Sequence, residues 1–201
     1  STSITLIIAG TLLLKATEDI SWLGAFFQSV SARTAGFSTY NIGDFTNAGL
    51  FVLCVLMFIG ASPGSTGGGI KTSTFFVLLQ AAKSACVKKN VCAFRRSISQ
   101  QNISKASMIT VLSMSVVCVG TFLLCVLEPD RTFIQVFFEV VSAFGTVGLS
   151  TGITPTLSAA AKIVIICVMF IGRLGAFTLL TIWISHPEPK IRYSEENIAI
   201  G

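Results

Sequence analysis

The chain has 201 residues, of which 52% are hydrophobic and only 11% charged, with a net charge of +5. A soluble domain carries about a quarter charged residues to solvate its surface, so this composition excludes an ordinary water-soluble globule and points to lipid as the solvent. The positive charge is not a nucleic-acid footprint. Lys83, Lys88, Lys89, Arg95, Arg96 and Lys105 fall in one stretch without an acid, the signature of a cytoplasmic loop between membrane segments.

In chain order, the first apolar run is Ile4–Leu14. It has no basic segment before it and no cleavage pattern, so it is not a signal peptide. It falls short of the roughly 20 residues that a ~30 Å hydrocarbon core requires. The expectation is a truncated helix in a fragment. A charged turn follows at Lys15, Glu18 and Asp19, then a short apolar segment, Trp22–Ala32, that suits a re-entrant half-helix better than a span. A Thr/Gly turn, Thr34-Ala35-Gly36-Phe37, ends it. The apolar stretch Ala48–Ala82 would be one membrane helix but for Gly60–Gly69, GASPGSTGGG, where Pro63 and five glycines disfavour helix. The basic loop, 85–105, comes next.

The plan then repeats. An apolar helix over about Met108–Leu127 leads to a charged turn at Glu128, Asp130 and Arg131. A short segment, Phe133–Phe144, leads to Thr146-Val147-Gly148-Leu149, and a second long apolar segment spans 159–184 before the tail, 186–201. The repeat is also literal: FFQSVSA at 26–32 against FFEVVSA at 137–143, TAGFST at 34–39 against TVGLST at 146–151, and MFIG at 57–60 against MFIG at 169–172. One residue is inserted at Phe144–Gly145. Three matched blocks in fixed order imply two copies of one unit. With the basic loop inside and both short segments re-entrant, the tail is cytoplasmic. The fold expected is an all-α membrane protein of two repeated helix–pore-loop–helix units, 1–84 and 106–185.

Irregular backbone at membrane depth must be buried in protein or line a wet cavity. The turns Thr34, Ala35, Gly36, Phe37 and Thr146, Val147, Gly148, Leu149 are such backbone, and glycine lets successive carbonyls aim at one axis. Carbonyl oxygens in that arrangement can replace the hydration shell of a potassium ion. The competing reading is an ordinary Gly-rich turn, which a single copy would leave open. Nothing sets up a catalytic or cofactor site. Cys54, Cys118, Cys125 and Cys167 read as small hydrophobes, Cys86 and Cys92 as thiols of the basic loop, and His186 as a surface residue. The 60–69 stretch is not a phosphate loop, since Ile70 stands where the lysine belongs.

The blocks SARTAGFST (31–39), MFIGASPGSTGGGIKTST (57–74), VSAFGTVGLSTGIT (141–154) and VMFIGRLGAFTL (168–179) resemble the Trk/Ktr/HKT superfamily of cation transporters, and within it the bacterial Ktr-type membrane subunits. Members have four helix–pore–helix units, and this chain resembles the last two. The resemblance implies potassium uptake activated by sodium, a homodimer in the bacterial inner membrane, a cytoplasmic nucleotide-binding regulatory subunit, and no enzyme activity or cofactor of its own. It also implies that Gly60, Ala61, Ser62, Pro63, Gly64, Ser65, Thr66, Gly67, Gly68 and Gly69 form an intramembrane gating loop. The alternatives are a subunit of a tetrameric potassium channel, against which the single glycine of each turn argues, and a membrane scaffold without transport.

Arg173 follows ten apolar or glycine residues and precedes eleven uncharged ones. A buried arginine costs at least ~2.5–3.5 kcal/mol, so it should face a cavity or a partner. It aligns with Ala61, and the expectation is an electrostatic barrier across from the loop that also bonds loop carbonyls. A purely structural arginine is the alternative. Lys71, just past the loop, is expected either at the inner end of the pathway or at the cytoplasmic face.

Overall fold

A computed structural model describes residues 2–65, 67–87, 92–93, 96–97 and 99–175. Thr66, residues 88–91, 94–95 and 98 of the basic connection, and everything from 176 on, including the expected tail, lie outside the described residues. The side chains of Cys86 and Cys92 do as well.

Among the described residues seven helices carry the fold: α1 (Thr2–Thr17), α2 (Trp22–Ser31), α3 (Asn47–Phe58), α4 (Thr72–Val87), α5 (Gln100–Leu127), α6 (Phe133–Gly145) and α7 (Ala159–Leu174). Single 3-10 turns at Ile42–Asp44 and Thr154–Thr156 precede α3 and α7. A two-residue antiparallel pair, Cys92–Ala93 with Arg96–Ser97, lies between α4 and α5. Among the described residues α5 is the one helix long and apolar enough to cross a membrane. Its 28 residues span about 42 Å.

The helix starts are written locally. Side-chain oxygens of Ser21, Thr46 and Ser158 accept from the backbone of Gly24, Gly49 and Ala161 at the starts of α2, α3 and α7, and Thr132 and Gln135 form a capping box on α6. A second device recurs. Glu18, after α1, accepts from the Thr46 N–H and hydroxyl at 2.9 and 2.7 Å. Glu128, after α5, accepts from the Ser158 N–H at 2.7 Å. In each half an acidic residue ties the end of the first helix to the start of a later one and meets the positive end of its dipole.

In packing, α1 lies on α2 and α3, and α5 lies on α6 and α7. The two halves meet where α3 packs on α6, with the Phe58 and Phe144 rings 5.9 Å apart. Helix α6 is therefore enclosed by α3, α5 and α7, and Val136, Phe138 and Val140 have no exposed surface. Its counterpart α2 bares Trp22 (61% exposed), Leu23 (78%) and Phe26 (51%).

Helix α4 continues to Val87 and α5 begins at Gln100, so both helices reach into the stretch read as the basic connection. No proline or glycine in those flanks stops a helix. The second long segment does not run unbroken over 159–184: α7 ends at Leu174, and Gly175 leaves helical geometry at φ +83°. Arg173 thus sits on a final helical turn.

Candidate functional site

The two Thr/Gly turns lie at the C-terminal ends of α2 and α6. In each, a threonine and then a glycine take the left-handed conformation: Thr34 (φ 76°) and Gly36 (78°), Thr146 (51°) and Gly148 (97°). Threonine is rarely found there, so the turns are held by their surroundings. Matching serines do part of this. Ser31 Oγ donates to the Phe37 carbonyl, and Ser142 Oγ to the Leu149 carbonyl at 2.6 Å. No hydrogen bond among the described residues uses the carbonyls of residues 34–36 or 146–148, which leaves those oxygens for another ligand. The turns touch: a side chain at Gly36 would strike the Val147 carbonyl.

Behind each turn the two halves differ. Glu139 of α6 is only 4% exposed. Its Oε1 accepts from Ser150 Oγ (2.7 Å), Thr151 N (2.9 Å) and Thr151 Oγ1 (3.1 Å), and its Oε2 from Thr154 Oγ1 (2.6 Å). At the repeat-equivalent place in α2, Gln28 has no exposed surface. Its Nε2 donates to Ser38 Oγ at 2.6 Å, and its Oε1 has no partner among the described residues. A carboxylate only accepts, so it gathers donors from the segment that follows the turn; an amide must spend half of itself donating. A cavity of about 210 Å³ opens beside the second turn, lined in part by Glu139, Thr146, Gly148, Ser150 and Thr154.

The 60–69 stretch closes on itself between α3 and α4. Ile59 and Ile70 form a parallel bridge, with Ile70 N donating to Phe58 O at 3.0 Å. Gly60, Ala61 and Gly68 are buried, while Ser62, Pro63, Gly64 and Ser65 are exposed. The buried part lies directly on the turns. Gly68 N donates to Thr146 Oγ1 at 2.9 Å. A Cβ on Gly67 would meet Thr34 Oγ1 at 3.0 Å, and one on Gly68 would meet Thr146 Oγ1 at 2.8 Å. The Gly67–Gly68 dipeptide is thus clasped by the two threonines, and the space admits no side chain.

Three contacts hold the rest of the loop. Arg33 Nη2 donates to Gly60 O at 2.9 Å while its Nη1 reaches Ser3 O at 3.2 Å. The Ser3 and Ser62 hydroxyls are 3.2 Å apart. Lys71 Nζ donates to Ser65 O at 2.8 Å and to Gly67 O at 2.7 Å. The Gly60 carbonyl thus takes a side-chain bond from Arg33, and the Ser65 and Gly67 carbonyls from Lys71. Arg173 is exposed, has no hydrogen bond to a described residue, and acts electrostatically on Lys71. Its helix presses close on α6, for a side chain at Gly172 would strike the Phe144 carbonyl.

Sequence reasoning passed over Arg33, Gln28 and Glu139. The signal was present: each is charged or strongly polar beside or within a short apolar segment read as lying in the membrane, where such residues are costly. The Gln-to-Glu difference falls inside the repeated block.

Comparison with known proteins fits this arrangement. The TrkH family model, described as "Cation transport protein", matches residues 4–194. The chain is 44% identical over 187 residues to the Ktr system potassium uptake protein B of Vibrio alginolyticus, covering 92% of this chain and 41% of that protein. It is 38% identical to the potassium/sodium uptake protein NtpJ of Enterococcus hirae, covering 96% and 44% respectively. The crystal structure of the potassium transporter TrkH from Vibrio parahaemolyticus matches with a TM-score of 0.69 and 26% identity, over 92% of this chain and 42% of that one. The chain spans about two fifths of the length of these relatives.

Proposed function

The chain belongs to the TrkH family of cation transport proteins, and from that premise we propose that it supplies two pore units to a potassium-uptake transporter. The units are 1–84 and 106–185, joined by a cytoplasmic basic connection over 85–105 and followed by a cytoplasmic tail, 186–201. In this reading the turns Thr34–Phe37 and Thr146–Leu149 form the filter, and the carbonyls of residues 34–36 and 146–148 replace water around a dehydrated potassium ion. The C-terminal ends of α2 and α6 add their negative dipole ends at the same place.

The 60–69 loop is the gate, with Arg173 standing near it as a fixed positive charge that opposes cation passage. The observation that carries this is the clasp of Gly67–Gly68 by Thr34 and Thr146. A loop hydrogen-bonded to one turn and packed on the other lies in the path of an ion leaving them. Leu23 and Phe26 of α2 are exposed where their repeat equivalents Ile134 and Phe137 of α6 are partly buried against the core, and this difference supports a preceding pore unit. Glu139, buried behind the second turn, favours cations over anions there.

The relatives' names support potassium as the ion, with sodium as an activator or second ion. A homodimer in the bacterial inner membrane, regulated by a cytoplasmic nucleotide-binding subunit, completes the proposal. The test is to express the complete chain in cells lacking potassium uptake and to measure growth at low potassium. Restored growth is expected. No restoration despite verified membrane insertion would refute the reading.

A further inference from the structure

Lys71 is the residue whose chemistry the gate reading leaves unused. It lies between the loop and α4, and its ammonium is held by two carbonyls of the loop, Ser65 O at 2.8 Å and Gly67 O at 2.7 Å. Both of its described hydrogen-bond partners are neutral carbonyls, and Arg173 acts on it as a like charge. Among the described residues, carbonyl dipoles hold the ammonium here. That is the ligand chemistry that retains a dehydrated potassium ion, and an ammonium group carries the same single charge at similar size.

The position matters as well. Gly67 packs on Thr34, and Gly68 donates to Thr146, so the occupied carbonyl of Gly67 belongs to the dipeptide that touches the turns. We propose that the Ser65 and Gly67 carbonyls form a monovalent-cation site within the loop, that Lys71 fills it as a tethered surrogate ion, and that a potassium ion arriving from the turns displaces the ammonium and releases the loop. Lys71 is then a positioning residue that makes opening depend on the transported ion. The inference rests on the gate reading of residues 60–69.

The test uses the full-length transporter in proteoliposomes, with rubidium uptake as a function of rubidium concentration. Wild type should respond steeply, because one ion must displace Lys71 while another permeates. K71M, which keeps the aliphatic stem and removes the charge, should raise flux about tenfold or more, tenfold being the low end for losing even one hydrogen bond to a charged group. It should also lose the steepness and reach half-maximal flux at lower rubidium. K71R, which keeps charge and donors, should stay near wild type, and K71Q, which keeps one donor, should fall between. K71Q also serves as the test if K71M does not reach the membrane.

If flux rises in K71M and K71Q but the rubidium dependence keeps its shape, Lys71 is a mechanical latch and the cation site is refuted. If these variants match wild type while T146V raises flux, the proposal fails and the gate reading stands. If none of the three changes flux, the gate reading fails with it.

Discussion

The hydrogen bond from Gly68 N–H to Thr146 Oγ1, 2.9 Å long and 78 residues apart in sequence, gives the sharpest test of the link between loop and turn. Substituting valine for Thr146 removes the acceptor and little else. The two side chains are nearly isosteric and both β-branched, so the strain of the left-handed backbone at φ 51° is unchanged. Gly68 is buried, and a buried N–H without a partner costs about 1–3 kcal/mol. That cost falls on the folded-in loop and is absent once the loop swings free and its N–H meets water. At about 1.4 kcal/mol per tenfold, the open-to-closed ratio should rise roughly 5- to 150-fold. The assay is rubidium uptake by cells expressing the full-length chain, normalised to membrane protein. T146S, which restores the hydroxyl, should return towards wild type. T34V is the control, since Thr34 meets Gly67 by packing and its hydroxyl makes no hydrogen bond to a described residue. A T146V flux no larger than that of T34V would refute the coupling.

Three further outcomes follow from the same contacts. G36A should abolish cation uptake while leaving the protein in the membrane, because its Cβ would strike the Val147 carbonyl at a positive φ; substantial residual transport would remove this turn from the pathway. G172A should lower thermal stability in detergent by more than an ordinary surface change, since the new Cβ meets the Phe144 carbonyl across the α6–α7 contact, and an unchanged melting temperature would contradict that close packing. The Ser158 backbone hydrogen bond holds the Glu128 carboxyl below its ordinary value of 4.5. A depressed folded-state value means a contribution present above the unfolded pKa and lost as pH falls through the lower, folded one. Thermal stability should therefore decline on acidification below about pH 4.5, with E128Q less stable at neutral pH and flatter in that window; parallel curves for the two proteins would rule the contact out as a contributor.

Much of this protein was legible in one dimension. The break at Gly60–Gly69, the shortness of α2 and α6 and the doubled Thr/Gly turn are short-range patterns, and short-range physics fixes them: proline and glycine conformations, and the length an apolar helix needs to cross lipid. The repeat told which segments correspond. It did not tell what they touch. Sequence pointed to Arg173 as the cation at the loop because an arginine in an apolar run is conspicuous. Packing gave the Gly60 carbonyl to Arg33 and the Ser65 and Gly67 carbonyls to Lys71, while α7 ends one residue after Arg173 and leaves it exposed. The clasp of Gly67–Gly68 by Thr34 and Thr146 likewise joins residues from three segments, and no local pattern encodes it. Sequence determined which pieces this chain is made of and that they lie in a membrane. Only the tertiary structure decided which of them meet, because side-chain hydrogen bonds across dozens of residues follow from how helices pack, here α3 against α6, and not from the residues' own neighbours.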